Sequence, residues 1–219
     1  MRILAVDAAL GRCSATVVVD AQLIAARSGD ETRGQAAILA MMVADVLREA
    51  GTTALDLDVI AVTVGPGSFT GIRAALALAH GIGIGAGKPV VGVTVAEALA
   101  SSLPDLGRRV LWTAIDSRRG RVFLDRGDGM AAHFLDNLPN PDRPVAVAGD
   151  AAIAVAIRLA ARDINVMLTD ARRPFGRHIA LVAARRLAGE LPPCLAEPLY
   201  VDAPEVRLPA APPRPPPLP

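Results

Sequence analysis

At 219 residues the chain is long enough for one large domain or two small ones, and a 52% hydrophobic share gives either a core to bury. A formal charge of +1, from 23 Lys and Arg against 22 Asp and Glu, excludes a molecule-wide electrostatic footprint for nucleic acid. Cys13 and Cys194 stand far apart without metal-ligand spacing, which suits a reducing cytosol and gives no disulfide framework.

The opening MRILAVDAALG holds one Arg and a short strand pattern that Asp7 ends, too short for a signal-peptide core, so a cytoplasmic location is expected. Strands are predicted at 2–7, 13–19 and 22–27, joined by tight turns into a meander. A helix follows over 32–50, stopped by Gly51. Its core stripe is Ile38, Leu39, Met42, Val43, Val46 and Leu47, yet its other side carries Ala37, Ala40, Met41 and Ala44 instead of charges. A buried strand over 59–64 then runs into GPGSFTG, and an alanine-leucine helix leaves that turn and reaches about residue 86. In this second helix Ala74, Ala75, Ala77 and Ala79 mix with Gly81, Gly83 and Gly85, small residues that let another helix approach closely. The uncharged run Ala74–Gly87 contains His80 and falls short of the ~18 residues of a membrane span, so a buried or docked helix and no membrane are expected. A strand over 90–95 and a short helix over 96–103 complete the first half.

At residue 109 the opening recurs. RVLWTAIDSRRGRVFLD matches RILAVDAALGRCSATVVVD, and each copy ends its first strand on DxxxGR: Asp7, Gly11, Arg12 and Asp116, Gly120, Arg121. A repeated strand-Asp-turn-strand implies a duplicated α/β unit, with lobes at 1–104 and 105–202. The second half also predicts helices at 151–162 and 175–187 and a strand near 165–168. Residues 203–219 hold eight of the chain's 18 prolines and are expected to be extended or disordered.

The chemistry-bearing patterns exclude more than they assign. The phosphate loop needs GxxxxGK and then Ser or Thr, but Ile72 and Arg73 follow Gly71; the dinucleotide fingerprint needs GxGxxG, but Gly65, Gly67 and Gly71 are spaced one residue too far. Ser68 or Thr70 as nucleophile needs a nearby base, and the three histidines, His80, His133 and His178, offer none at a useful spacing. No HExxH or HxxxH pattern supplies a metal site, and no cofactor is expected. The favoured reading of Gly65–Gly71 is helix presentation: glycines and Pro66 form the turn, Ser68 or Thr70 caps the helix, and Phe69 buries its ring against the sheet. An anion at the helix start is the weaker reading. Helices apolar on more than one side are covered on more than one side, and in a chain of this length a partner is the favoured cover.

GPGSFTGIRAALALAHG, with ILAVDAALGRCSATVVV, AIDSRRGRVFL and AEPLY (Ala196–Tyr200), resembles the TsaB (YeaZ) family over roughly residues 1–201. The resemblance implies an actin/Hsp70-like (ASKHA) fold of two duplicated α/β lobes. It also implies a non-catalytic subunit in the formation of N6-threonylcarbamoyladenosine at tRNA adenosine 37. Its expected partners are a TsaD-like catalytic subunit, docked through the two long helices, and a TsaE-like ATPase; a homodimer through the same face is the alternative, and tRNA is met indirectly. On this resemblance the signature loop is Gly65, Pro66, Gly67, Ser68, Phe69, Thr70, Gly71 and Arg73, and the interface Ala37, Ala40, Met41, Ala44, Ala74, Ala77, Leu78 and Gly81. Asp7 and Asp116 are candidates for a vestigial nucleotide site. The chain departs from the family pattern at Gly34 and Ala40, where a His and a Pro are common, and in AALGRC after Asp7. A reading from another class is a small actin/Hsp70-type ATP-dependent phosphotransferase or ATPase with Asp7 and Asp116 as magnesium carboxylates.

Overall fold

The structure is a computed structural model that describes residues 1–29, 35–118 and 120–202. Two five-stranded sheets carry the chain. The first contains β1 (Arg2–Asp7), β2 (Cys13–Val19), β3 (Gln22–Gly29), β4 (Val59–Gly65) and β5 (Val90–Thr94), in the order β3-β2-β1-β4-β5. The second contains β6 (Val110–Asp116), β7 (Arg121–Asp125), β8 (Met130–Phe134), β9 (Val145–Ala148) and β10 (Val166–Leu168), in the order β8-β7-β6-β9-β10. In both, three antiparallel strands are followed by two parallel ones. The duplication seen in DxxxGR is therefore reproduced strand for strand, which is the two-lobe actin/Hsp70-like arrangement.

Helices α1 (Gln35–Glu49) and α2 (Phe69–Ala86) lie side by side on one face of the first sheet. Leu39, Val43 and Val46 of α1 and Ile72, Ala75, Leu76 and Ala79 of α2 join Leu4, Val6, Val17, Ile60 and Val62 in one core. The other face is covered by α3 (Val95–Ala100) and, unexpectedly for its place in the chain, by α5 (Gly176–Leu187). Ile179, Ala180, Val182 and Ala183 of α5 pack on Ile3, Ala5, Val59 and Ala61. Strands covered on both faces read as unbroken apolar runs, which is why β1 and β4 show no alternation. β3, at the sheet edge, buries only Ala25 and carries an otherwise exposed row. Arg186 of α5 is buried and fully engaged: it donates to Glu97 Oε1 of α3 and to the carbonyls of Gly92 and Pro192, each at 2.7 Å. Its charge is thereby paired and hydrogen-bonded where burial would otherwise be costly.

The second lobe has one flanking helix of its own, α4 (Ala152–Ala160), which packs on β6, β9 and β10. The helix predicted over 96–103 ends at Ala100, because Ser102 hydroxyl bonds the Leu99 carbonyl and Pro104 follows. The start of the first long helix at 32, the departure at Gly34, Arg119 and the proline-rich 203–219 lie outside the described residues.

Candidate functional site

The signature turn is built against the loop that follows β1. Gly65 ends β4 at φ 113° and Gly67 takes φ 156°, backbone that side chains disfavour. A Cβ on Gly67 would stand 2.0 Å from the Ala9 carbonyl oxygen, and the next residue, Ser68, donates its N–H to that same oxygen at 2.6 Å. Ala8 and Ala9 are wholly buried, so the contact is fixed from both sides. Ser68 caps α2, its hydroxyl accepting from the Gly71 N–H at 3.2 Å, while Thr70 is exposed and makes no cap.

Phe69 corrects an expectation. Its ring is not buried against the sheet but 60% exposed, with the Arg73 guanidinium 3.6 Å from its centroid. Arg73 is held in turn by Tyr200, whose hydroxyl accepts from Nη2 at 2.8 Å and Nε at 3.3 Å. Tyr200 reaches α2 because residues 194–200 run back along the first lobe: Gly92 N–H donates to the Cys194 carbonyl at 3.1 Å, Leu199 N–H to the Val64 carbonyl at 2.8 Å, and His80 Nε2 lies 2.8 Å from the Ala196 oxygen. His80 is thus a brace for this segment and stands more than three helical turns from Ser68.

Asp7 and Asp116 occupy equivalent strand ends in unlike settings. Asp7 is 3% exposed; Oδ1 accepts from Thr63 Oγ1 at 2.5 Å and from the Ala9 N–H at 3.0 Å. Burial pushes its carboxyl up to about 6, against the lowering effect of those two bonds. Asp116 is exposed, accepts from the Arg118 N–H at 2.8 Å and organises a turn, while its own N–H donates to Asp150. Asp7 is the post that holds the Ala9 loop under the signature turn. A folded value above the ordinary 3.8 gives stability that is complete below pH 3.8 and is lost as pH rises through about 6. Asp7→Asn keeps the acceptor and removes the buried charge, so it should raise stability above pH 6 by about 1–3 kcal/mol. The gain should vanish below pH 4, as read by urea unfolding across pH 4–8.

The α1 and α2 faces turned away from the sheet form one small-residue surface. Ala37, Ala40, Met41 and Ala44 of α1 and Ala77 and Gly81 of α2 are exposed; Ala74 and Leu78 are half-buried. Ile84, 84% exposed, and Gly85 extend the same side; sequence reasoning had Gly85 but missed Ile84, although it follows Ala77 and Gly81 at helical spacing. The glycines divide by role. A Cβ on Gly83 would meet Val90 Cγ2 at 2.6 Å, so it serves the sheet contact, whereas Gly81 and Gly85 face open space. By length and composition α2 could cross a membrane, but Gly71, Ile72, Ala75, Leu76, Ala79 and Gly83 line the first lobe's core and Arg73 and His80 interrupt the run.

The family model described as TsaD, tRNA N6-adenosine threonylcarbamoyltransferase, matches residues 31–167. A tRNA threonylcarbamoyladenosine biosynthesis protein TsaB of Escherichia coli is 37% identical over 125 residues, covering 56% of this chain and 53% of that one. A tRNA N6-adenosine threonylcarbamoyltransferase of Maricaulis maris is 44% identical over 70 residues, 32% of this chain and 19% of the transferase. The aligned stretch thus spans about half of the first relative and a fifth of the second. A crystal structure from Pseudomonas aeruginosa, described as similar to peptidase YEAZ, shares the fold with a TM-score of 0.75 at 24% identity, over 92% of this chain and 99% of that one. With the family model matched over more than half of its length and a TsaB protein among its relatives, the chain belongs to the TsaB (YeaZ) branch of the TsaD family.

Proposed function

We propose that this chain is a non-catalytic subunit for tRNA N6-threonylcarbamoyladenosine formation, docking a TsaD-like transferase through α1 and α2 and holding it active. One observation carries the reading: two adjacent helices rest on a sheet with one side and expose on the other Ala37, Ala40, Met41, Ala44, Ala77, Gly81 and Ile84, with His80 beside them. Exposed apolar area of this kind is the mark of an association surface, and small side chains let helix backbones come close. The names of the E. coli and M. maris relatives support the pathway and the nature of the partner. A TsaE-like ATPase completes the set, a homodimer through the same face is the alternative pairing, and tRNA is contacted through the partner. Phosphoryl transfer is disfavoured by Asp7, whose oxygen is already committed to Thr63 and Ala9 beneath buried alanines.

Reconstitution tests the proposal. A TsaD-like transferase, a TsaE-like ATPase, threonylcarbamoyl-adenylate and tRNA should yield modified adenosine only when this chain is added, and the chain alone should yield none. Full modification without it, or transfer by it alone, would overturn the assignment.

A further inference from the structure

The DxxxGR repeat puts an arginine at the threshold of the second strand in each lobe, yet among the described residues only one of the two meets a carboxylate. Arg121 donates to Asp202 at 2.7 Å. Arg12, its counterpart, donates Nη2 to the neutral hydroxyl of Ser28, and its Nε is buried with no hydrogen-bond partner. A buried cationic donor left unmatched is costly, so the question is what matches it.

Arg12 lines a cleft of about 140 Å3 between β2, β3 and the start of α5. Ser14, Thr16, Ser28, Arg27 and Arg177 also line it, beside the largely apolar walls of Leu23, Ala26, Pro174 and Phe175. Arg27 is paired with Glu49 at 2.5 Å. Arg177 has no acidic partner among the described residues, and it sits in the first turn of a helix with no side-chain cap and no acid there. Arg12, with its buried Nε unmatched, and the exposed Arg177 therefore line one cleft at the positive end of α5. α5 is held in that position: a Cβ on Gly176 would stand 2.0 Å from Thr16 Oγ1, so helix and strand touch without a spacer.

We propose that this cleft binds one phosphate group between Arg12 and Arg177. Guanidinium forks match phosphate oxygens in pairs, and the hydroxyls supply further donors to the oxygens that remain. The volume is below that of a cavity for a whole drug-sized ligand, so the group is inorganic phosphate itself, the terminal phosphate of a nucleotide, or a backbone phosphate of RNA. None of these residues belongs to the signature turn or the small-residue helix face, so the inference does not rest on the proposed docking role.

The test uses the full chain in chloride buffer at constant ionic strength, titrated separately with inorganic phosphate, ADP and a short single-stranded RNA, and followed by amide shifts in two-dimensional NMR. Saturable phosphate-induced shifts at Ser28, Gly176 and Arg177 are expected, weakened about tenfold or more in Arg12→Ala and in Arg177→Ala. Arg177 is exposed, so its variant keeps the test alive if Arg12→Ala does not fold. ADP or RNA binding the same amides more tightly than phosphate identifies the source of the group. No saturable shift in the wild type, equal affinity in Arg177→Ala, or equal affinity for acetate would overturn the proposal.

Discussion

Ala77→Glu should abolish pairing with the TsaD-like subunit while leaving this chain folded. Ala77 is exposed on α2 and its neighbours on that side are Gly81 and Ile84, so a glutamate there costs the monomer little. In the complex the same carboxylate would be buried between helices; Arg73, one turn earlier on α2, is held by Tyr200 and the Phe69 ring, and Arg48 of α1 is paired with Asp45 at 2.5 Å. A loss of about 3–5 kcal/mol, roughly two to four powers of ten in Kd, is expected. Ala40→Glu should act alike from α1. Co-purification and isothermal titration measure the effect, with thermal unfolding as the control; undiminished affinity in both variants would remove this face from the complex.

Gly67→Ala should be the most damaging single methyl in the molecule's first lobe. The added carbon would lie 2.0 Å from the Ala9 oxygen and 2.8 Å from its carbonyl carbon, at a φ of 156° that alanine does not tolerate. Ala9 has nowhere to retreat, since it is buried and tied to Asp7, and the Ser68 N–H bond to Ala9 would be lost with the shift. A cost of about 3–5 kcal/mol is expected, a large part of the stability of an ordinary domain, read by urea or thermal unfolding. Gly81→Ala is the contrast. It adds its methyl to open space in a helix interior, should stabilise the free chain by about 0.5–1 kcal/mol, and should still weaken docking by holding the partner helix away. A Gly67→Ala protein as stable as the wild type would mean that the turn yields where the geometry says it is fixed.

Much of this was legible in the residues themselves. Asp7 and Asp116 each precede a Gly-Arg pair by the same interval, and that spacing alone foretold two sheets of one design. Ala37, Ala40, Met41 and Ala44 stood out because charges belong on the outer side of a helix and none was there. What was not legible depends on contacts between distant parts of the chain. Phe69 reads as a core aromatic until Tyr200, 131 positions later, positions Arg73 over its ring. Gly81, Gly83 and Gly85 look alike in sequence, and only the position of Val90 separates the inward one from the outward two. The equal repeat also concealed an inequality: Arg12 and Arg121 share a motif, but Asp202 reaches only the second.

The return of α5 to the first sheet has a bearing on how the protein is made. The strands Arg2–Thr94 leave the ribosome well before residues 176–187, so one side of that sheet, with Ile3, Ala5, Val59 and Ala61, stays greasy and naked for roughly two-fifths of synthesis. At about 5–20 residues per second the delay is several seconds, long on the scale of strand association. Nascent chains arrested before residue 176 should therefore be chaperone clients, and the amino-terminal half expressed alone should precipitate.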